Sequence, residues 1–189
     1  MERIIYFDLE TKYSAEEVGG WENIEDMGMS VGVIWDSVDQ QFSVYLDHQT
    51  NELVEHCKRS DQIVGFNHVG FDYRVLAGAC HAEAQMRSRL HTELAGLNNL
   101  DMLVELKKVL GHRLKLESVA RSTLGTGKSA DGLQALKWYR EVSTTKLSNI
   151  ARLMLKSHVT CISMLLSMES FIMTHALVSV SYTHLTLPT

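Results

Sequence analysis

Three carboxylates in this 189-residue chain fall where they could do chemistry together. Asp8 and Glu10 end the stretch "RIIYFDLET", just after the apolar run Ile4–Phe7. Side chains two apart on a strand share a face, so both acids point the same way at the strand's C-terminal end. Open sheets tend to place ligand sites at such ends. Two carboxylates held a few ångströms apart repel by roughly one to a few kcal/mol, depending on the local dielectric. A divalent cation removes that penalty, and hard ions such as Mg²⁺ or Mn²⁺ take oxygen ligands. The plain alternative is a pair of polar residues where a strand meets a loop. The third acid, Asp72, stands in "IVGFNHVGFDYRVL", after a second apolar run, Asn67 and a short turn. An acid in a first helical turn is also favoured by the helix dipole alone. If the two runs are neighbouring strands, Asp72 lies across from Asp8 and Glu10. Three carboxylates could then hold a metal pair about 4 Å apart, a geometry suited to phosphodiester hydrolysis.

The elements that must position these acids are legible in outline. Residues 3–9 read as a strand buried on both faces. Residues 11–27, with Gly19, Gly20 and several acids, read as a loop. "MSVGVIW" and "FSVYL", separated by "DSVDQQ", read as a hairpin. Residues 51–60 predict a helix with Leu53, Val54 and Cys57 as its apolar stripe. "QIVGFN" predicts a buried strand ending at Asn67, and a helix begins near Phe71. Residues 81–99 fit a helix or a loop. Residues 100–111 predict an amphipathic helix stopped by Gly111. Three further helical stretches follow, at 115–125, 131–142 and 145–168. This order predicts an α/β fold, a mixed sheet flanked by helices: an antiparallel meander, then a crossover to a strand parallel to the first.

"YFDLET" together with "VGFNHVGFDYRVL" resembles the first two motifs of the DnaQ-like (DEDD) 3′–5′ exonucleases, and most nearly their YprB-like ribonuclease H-like branch. The resemblance covers about residues 1–141. It implies a ribonuclease H-like fold and a metal-dependent 3′–5′ exonuclease releasing nucleoside 5′-monophosphates. Asp8, Glu10 and Asp72 fall on three of the family's four metal-binding acids, for two Mg²⁺ or Mn²⁺ ions. Asn67 falls on the polar residue that helps position the strand, with the backbone around Leu9 and Thr11 placing the terminal nucleotide. "LDML" matches the family's aspartate before the middle helices. The implied partner is single-stranded DNA or RNA, or a nucleic-acid end.

The family's third motif is degenerate. Its best match, "MLKSHVT", puts Met154 where a tyrosine belongs and His158 where the fourth acid belongs. Histidine brings no negative charge and suits Mg²⁺ poorly. Methionine cannot take a proton. His158 reads as a true substitution that weakens the site, as an ordinary surface histidine, or as part of foreign sequence. We favour the last: residues 142–189 are poor in acids, end "SYTHLTLPT", and read as a frameshifted or chimeric tail. A catalytically inactive nucleic-acid- or partner-binding module on the same fold is the rival function.

The bulk numbers fit either reading. Hydrophobic residues make up 45% and charged residues 22%, as in a globular protein, and the net charge of −5 gives no support to passive nucleic-acid binding. A local basic row exists nonetheless, in Lys107, Lys108, His112, Arg113, Lys115, Arg121 and Lys128. It suits a phosphate backbone or a solvated helix face. "LGTGKS" fails as a phosphate loop, because Ser122 stands where the first glycine is needed. The three cysteines lack CxxC spacing and read as reduced thiols. No signal-peptide layout or membrane span is evident, so the expectation is cytoplasmic. Trp21, Trp35 and Trp138 read as packing residues, with Trp21 also placed to stack on a base. His68, beside Asn67, is a candidate to face the site.

Overall fold

A computed structural model describes residues 2–113. The strands β1 (Ile4–Thr11), β2 (Met29–Asp36), β3 (Gln41–Leu46), β4 (Gln62–Gly65) and β5 (Asn99–Asp101) form one sheet in the order β3-β2-β1-β4-β5. β1–β2 and β2–β3 are antiparallel, while β4 and β5 run parallel to β1. The helices α1 (Thr50–Lys58), α2 (Asp72–Cys80), α3 (Ala84–Ala95) and α4 (Met102–Leu110) connect and flank these strands. The expected meander and parallel crossover are both present, and this is a mixed α/β fold, a sheet flanked by helices.

The period-2 alternation of β1 sends Ile5, Phe7 and Leu9 into one core with Ile34, Leu53, Cys57, Ile63, Tyr73 and Leu76. Phe7 and Tyr73 stack with ring centroids 6.1 Å apart, fixing α2 beneath β1. The alternate residues Tyr6, Asp8 and Glu10 take the opposite face, and Tyr6 meets Trp35 edge-on at 5.6 Å. Cys57 and Cys80 are free thiols, and burial pushes Cys57 up to about 12. Among the described residues, no helix is long and apolar enough to cross a membrane.

Four local expectations change. The 11–27 excursion holds a short 3-10 helix, Trp21–Asp26, whose Ile24 is buried together with the following Met27. Residues 84–95 are helix, seated by Leu90 and Leu94. The strand expected to reach Asn67 stops at Gly65, because Asn67 takes φ +62°, a left-handed conformation that no strand continues through. The helix expected from Leu100 begins at Met102. Asn99–Asp101 pairs with β4 as an edge strand, and Asp101 caps the helix by accepting from the Leu103 and Val104 amides. Gly111 closes α4 at φ +77°, as its glycine stop predicts.

Candidate functional site

β4 leaves the sheet early, and that departure opens the site. Its last pairing with β1 is Tyr6↔Val64, so β1 runs on to Thr11 without this neighbour. The Leu9 amide donates to Asp72 Oδ1 at 3.2 Å. Asp72 therefore takes the place of the missing strand from the first turn of α2. It is 4% exposed. Burial, and next the charge of Asp8, hold its carboxyl well above the usual carboxylate range. Its own backbone N–H and that of Leu9 oppose the shift. The structure thus brings Asp8 and Asp72 together at the C-terminal end of β1. Glu10 lies one pleat further along the same face as Asp8, opposite Val31, with a register slip between it and Thr11.

The pair fits the protein side of a divalent-cation site. Both donors are hard oxygens, one carboxylate is desolvated, and the two charges oppose each other until a cation arrives. Among the described residues, no group of three or more His, Cys, Asp or Glu side chains is gathered to hold a metal ion. His158, the expected position of the fourth acid, lies outside the described residues, as do Met154, Lys115, Arg121, Lys128 and Trp138.

Asp72 gives a stability prediction with a definite sign. Its folded pKa lies above the unfolded value, so its contribution is full below the unfolded pKa and is lost as pH rises through the folded one. In EDTA, Asp72→Asn keeps the acceptor for Leu9 and removes the charge. We expect it to stabilise the metal-free protein at pH 7 by on the order of 1–3 kcal/mol, the scale of a poorly satisfied buried polar group. Thermal unfolding from pH 4 to 8 should show the variant gaining on wild type as pH rises. A constant offset would contradict this.

The loop from β4 to α2 is held from β5. Asp101 Oδ1 accepts from the Asn67 amide at 2.9 Å, and Oδ2 from the Val69 amide at 3.3 Å, while Oδ1 also caps α4. Asn99 Oδ1 receives the Tyr73 hydroxyl at 2.6 Å and lies 3.0 Å from His68 Nε2. Asp101 is buried and taken up by backbone amides, so it anchors the loop instead of serving as a ligand. Its position before α4 was visible in "LDML"; its grip on residue 67, 34 positions away, was not. Asp101→Ala strips partners from four amides. It should cost about 2–4 kcal/mol, from one lost cap plus unsatisfied buried amides. Urea unfolding would read this, and hydrogen exchange should show the Asn67 and Val69 amides losing protection.

The remaining sequence candidates separate. Asn67 is half-buried at the turn of the anchored loop. The Leu9 side chain is in the core and its amide is committed to Asp72. The Thr11 hydroxyl donates to the Tyr13 carbonyl at 2.9 Å. His68 does not face the acids. It is fully buried, edge-on to Tyr73 at 5.1 Å, and Gly65 packs against its ring, where a Cβ would lie 2.8 Å away. Among the described residues its Nδ1 has no hydrogen-bond partner, and it stands 3.7 Å from Asp101. Burial lowers its pKa despite that neighbour. Trp21 is exposed, not core. Lys107, Lys108, His112 and Arg113 are exposed on and after α4.

A family model described as the RNase H superfamily matches residues 5–156. The fold is similar to a solved family B DNA polymerase from the hyperthermophilic archaeon Pyrobaculum calidifontis, with a TM-score of 0.62 and 16% identity over 92% of this chain. The chain spans about a quarter of that polymerase, since the match covers 25% of it. No curated protein matches the sequence.

Proposed function

The chain belongs to the RNase H superfamily, and from that premise we propose that it is a metal-dependent nuclease acting on the end of a single nucleic-acid strand, 3′ to 5′, in the manner of the DnaQ-like exonucleases. The observation that carries the reading is the Asp8–Asp72 pair, with Asp72 buried in the gap that β4 leaves beside β1. Asp8, Glu10 and Asp72 would hold two Mg²⁺ or Mn²⁺ ions. Those ions, when bound, supply an activated water and neutralise charge on the phosphate.

The chain's own residues prepare the site. The Leu9 amide fixes the Asp72 carboxylate, so Leu9 serves by orienting a ligand. Asp101 locks the loop that presents Asn67, and Asn67 with the backbone at Thr11 would place the terminal nucleotide. The exposed Lys107, Lys108 and Arg113 suit the phosphates further along the strand. We assign this activity to residues 1–141.

A second reading, a binding module without catalysis, has one observation in its favour: among the described residues no group of three or more His, Cys, Asp or Glu side chains is gathered to hold a metal ion. Single strands labelled at the 5′ end, incubated with the protein and Mn²⁺, separate the two. A ladder shortening from the 3′ end, with nucleoside 5′-monophosphate as product, supports the nuclease. Binding without shortening supports the module.

A further inference from the structure

We propose that His68 is a proton-operated latch on the loop from β4 to α2: once protonated, its ring draws Asp101 away from the Val69 amide and frees the backbone that presents Asn67. The latch stands on the geometry of the loop, and only its consequence for strand placement rests on the nuclease reading.

The tautomer of His68 follows from its neighbours. Asn99 Nδ2 donates to the Leu94, Ala95 and Leu97 carbonyls at 2.9, 3.3 and 3.0 Å. That fixes which end of the amide is nitrogen, so Asn99 Oδ1 only accepts. His68 Nε2, 3.0 Å from it, is therefore the protonated nitrogen of the neutral ring. Nδ1 is left as a bare lone pair in a fully buried ring, 3.7 Å from Asp101 Oδ2. Two acceptors face each other there. A proton on Nδ1 turns that opposition into an ion pair, whose hydrogen bond closes to about 2.7–2.9 Å.

The ring has no room to travel toward the carboxylate. Tyr73 stands edge-on at 5.1 Å, and Gly65 packs so close that a Cβ there would lie 2.8 Å from the ring. Asp101 must move instead, and its two oxygens are held unequally. Oδ1 accepts from the Asn67 amide at 2.9 Å and the Leu103 amide at 3.1 Å. Oδ2 accepts from the Val69 amide at 3.3 Å, a long bond. The oxygen that faces His68 is the loosely held one.

The other titratable groups around the ring do not compete for this role. On α2, Tyr73 commits its hydroxyl to Asn99, and burial pushes the phenol up. Asp72 opens the same helix with its carboxyl turned to the Leu9 amide. On α3, His91 Nε2 lies 3.0 Å from the Val69 carbonyl and donates there in either charge state, so its protonation leaves that bond intact. Burial holds His68 below the ordinary histidine range although Asp101 opposes the shift. The stability that its neutral ring contributes is thus full above the unfolded pKa and lost as pH falls through the folded one. At neutral pH the latch is shut.

The test uses the full chain without metal or substrate. From about pH 7 to about pH 5, ring ¹⁵N shifts read protonation of His68, and amide hydrogen exchange reads protection along the loop. We expect the protection factor of the Val69 amide, and with it that of Asn67, to fall about tenfold as His68 titrates. Amides in the β1–β2 ladder should keep theirs. His68→Gln keeps a donor for Asn99 and takes up no proton, so its Val69 protection should stay flat over the same range. If that variant fails to fold, the wild-type titration alone decides. Val69 protection that does not follow the His68 titration, a fall shared by the β1–β2 ladder, a ring that stays neutral until the chain unfolds, or the same fall in folded His68→Gln would each overturn the latch. Asp8→Ala, assayed for cleavage in Mn²⁺, tests the nuclease reading separately. Cleavage dependent on Asp8 with a pH-insensitive loop leaves the nuclease and removes the latch. A loop that opens with His68 in a chain that cuts nothing leaves the latch and removes the nuclease.

Discussion

Asp8→Ala should lower Mn²⁺-dependent shortening of a labelled single strand by at least about 100-fold, the upper end of what losing a residue behind a metal ligand costs. Asp72→Ala should do the same. The loss should fall on kcat, because in the proposed role these carboxylates would hold cations and not the strand. Asp72→Asn is the sharper variant. It keeps an oxygen for the Leu9 amide, so the geometry at the end of β1 survives while the charge is removed. A folded, more heat-stable and inactive Asp72→Asn protein would show that the charge, rather than the hydrogen bond, is what the site needs. Activity within a few-fold of wild type in either alanine variant would remove the acid pair from the mechanism.

The second large effect is structural. A Cβ at Gly78 would lie 1.7 Å from the carbonyl oxygen of Glu25, 2.5 Å from its carbonyl carbon and 2.8 Å from its Cα. All three are backbone atoms, so no side-chain rotation relieves the clash. Alanine is the better helix former by about 1 kcal/mol in an exposed helix interior. Sterics should win here, for a net loss of about 3 kcal/mol, at the upper end of overpacking costs. The urea midpoint should fall with the m-value unchanged. Gly32→Ala makes a useful contrast, because its closest neighbour at 2.5 Å is the Cδ2 tip of Leu53, a side chain that can turn away. Equal stability of Gly78→Ala and wild type would show that the 3-10 helix is not held against α2 as described.

How far these features could be read from the sequence depended on their range. The strands at 4–11, 29–36 and 41–46 were legible because apolar runs and a polar turn fix them locally. The nearness of Asp72 to Asp8 was legible through topology, since a helix between two buried runs favours parallel neighbours. β5 was not. Three residues at the head of an amphipathic helix carry no period of their own, and their strand character comes wholly from pairing with Ile63, Val64 and Gly65. The turn at Asn67 was hidden for the same reason: its left-handed backbone is held by an aspartate 34 residues away. The direction of His68 was hidden because adjacency to Asn67 says nothing about it, and the turn sends its ring into the core. Trp21 shows the converse limit. Indole in a sequence predicts burial, and only the pairing of Arg74 with Glu25 and of Arg87 with Asp26 reveals that its 3-10 helix is held outside.

The most direct test of the acid pair is calorimetric titration of Mn²⁺ into the metal-free full chain near pH 7, in two buffers of different ionisation enthalpy. Wild type should bind saturably and release protons, because a cation favours the ionised form of Asp72 that burial disfavours. Asp8→Ala and Asp72→Ala should lose that binding. Saturable binding unchanged in both variants, or none in wild type, would contradict a cation site built on Asp8 and Asp72.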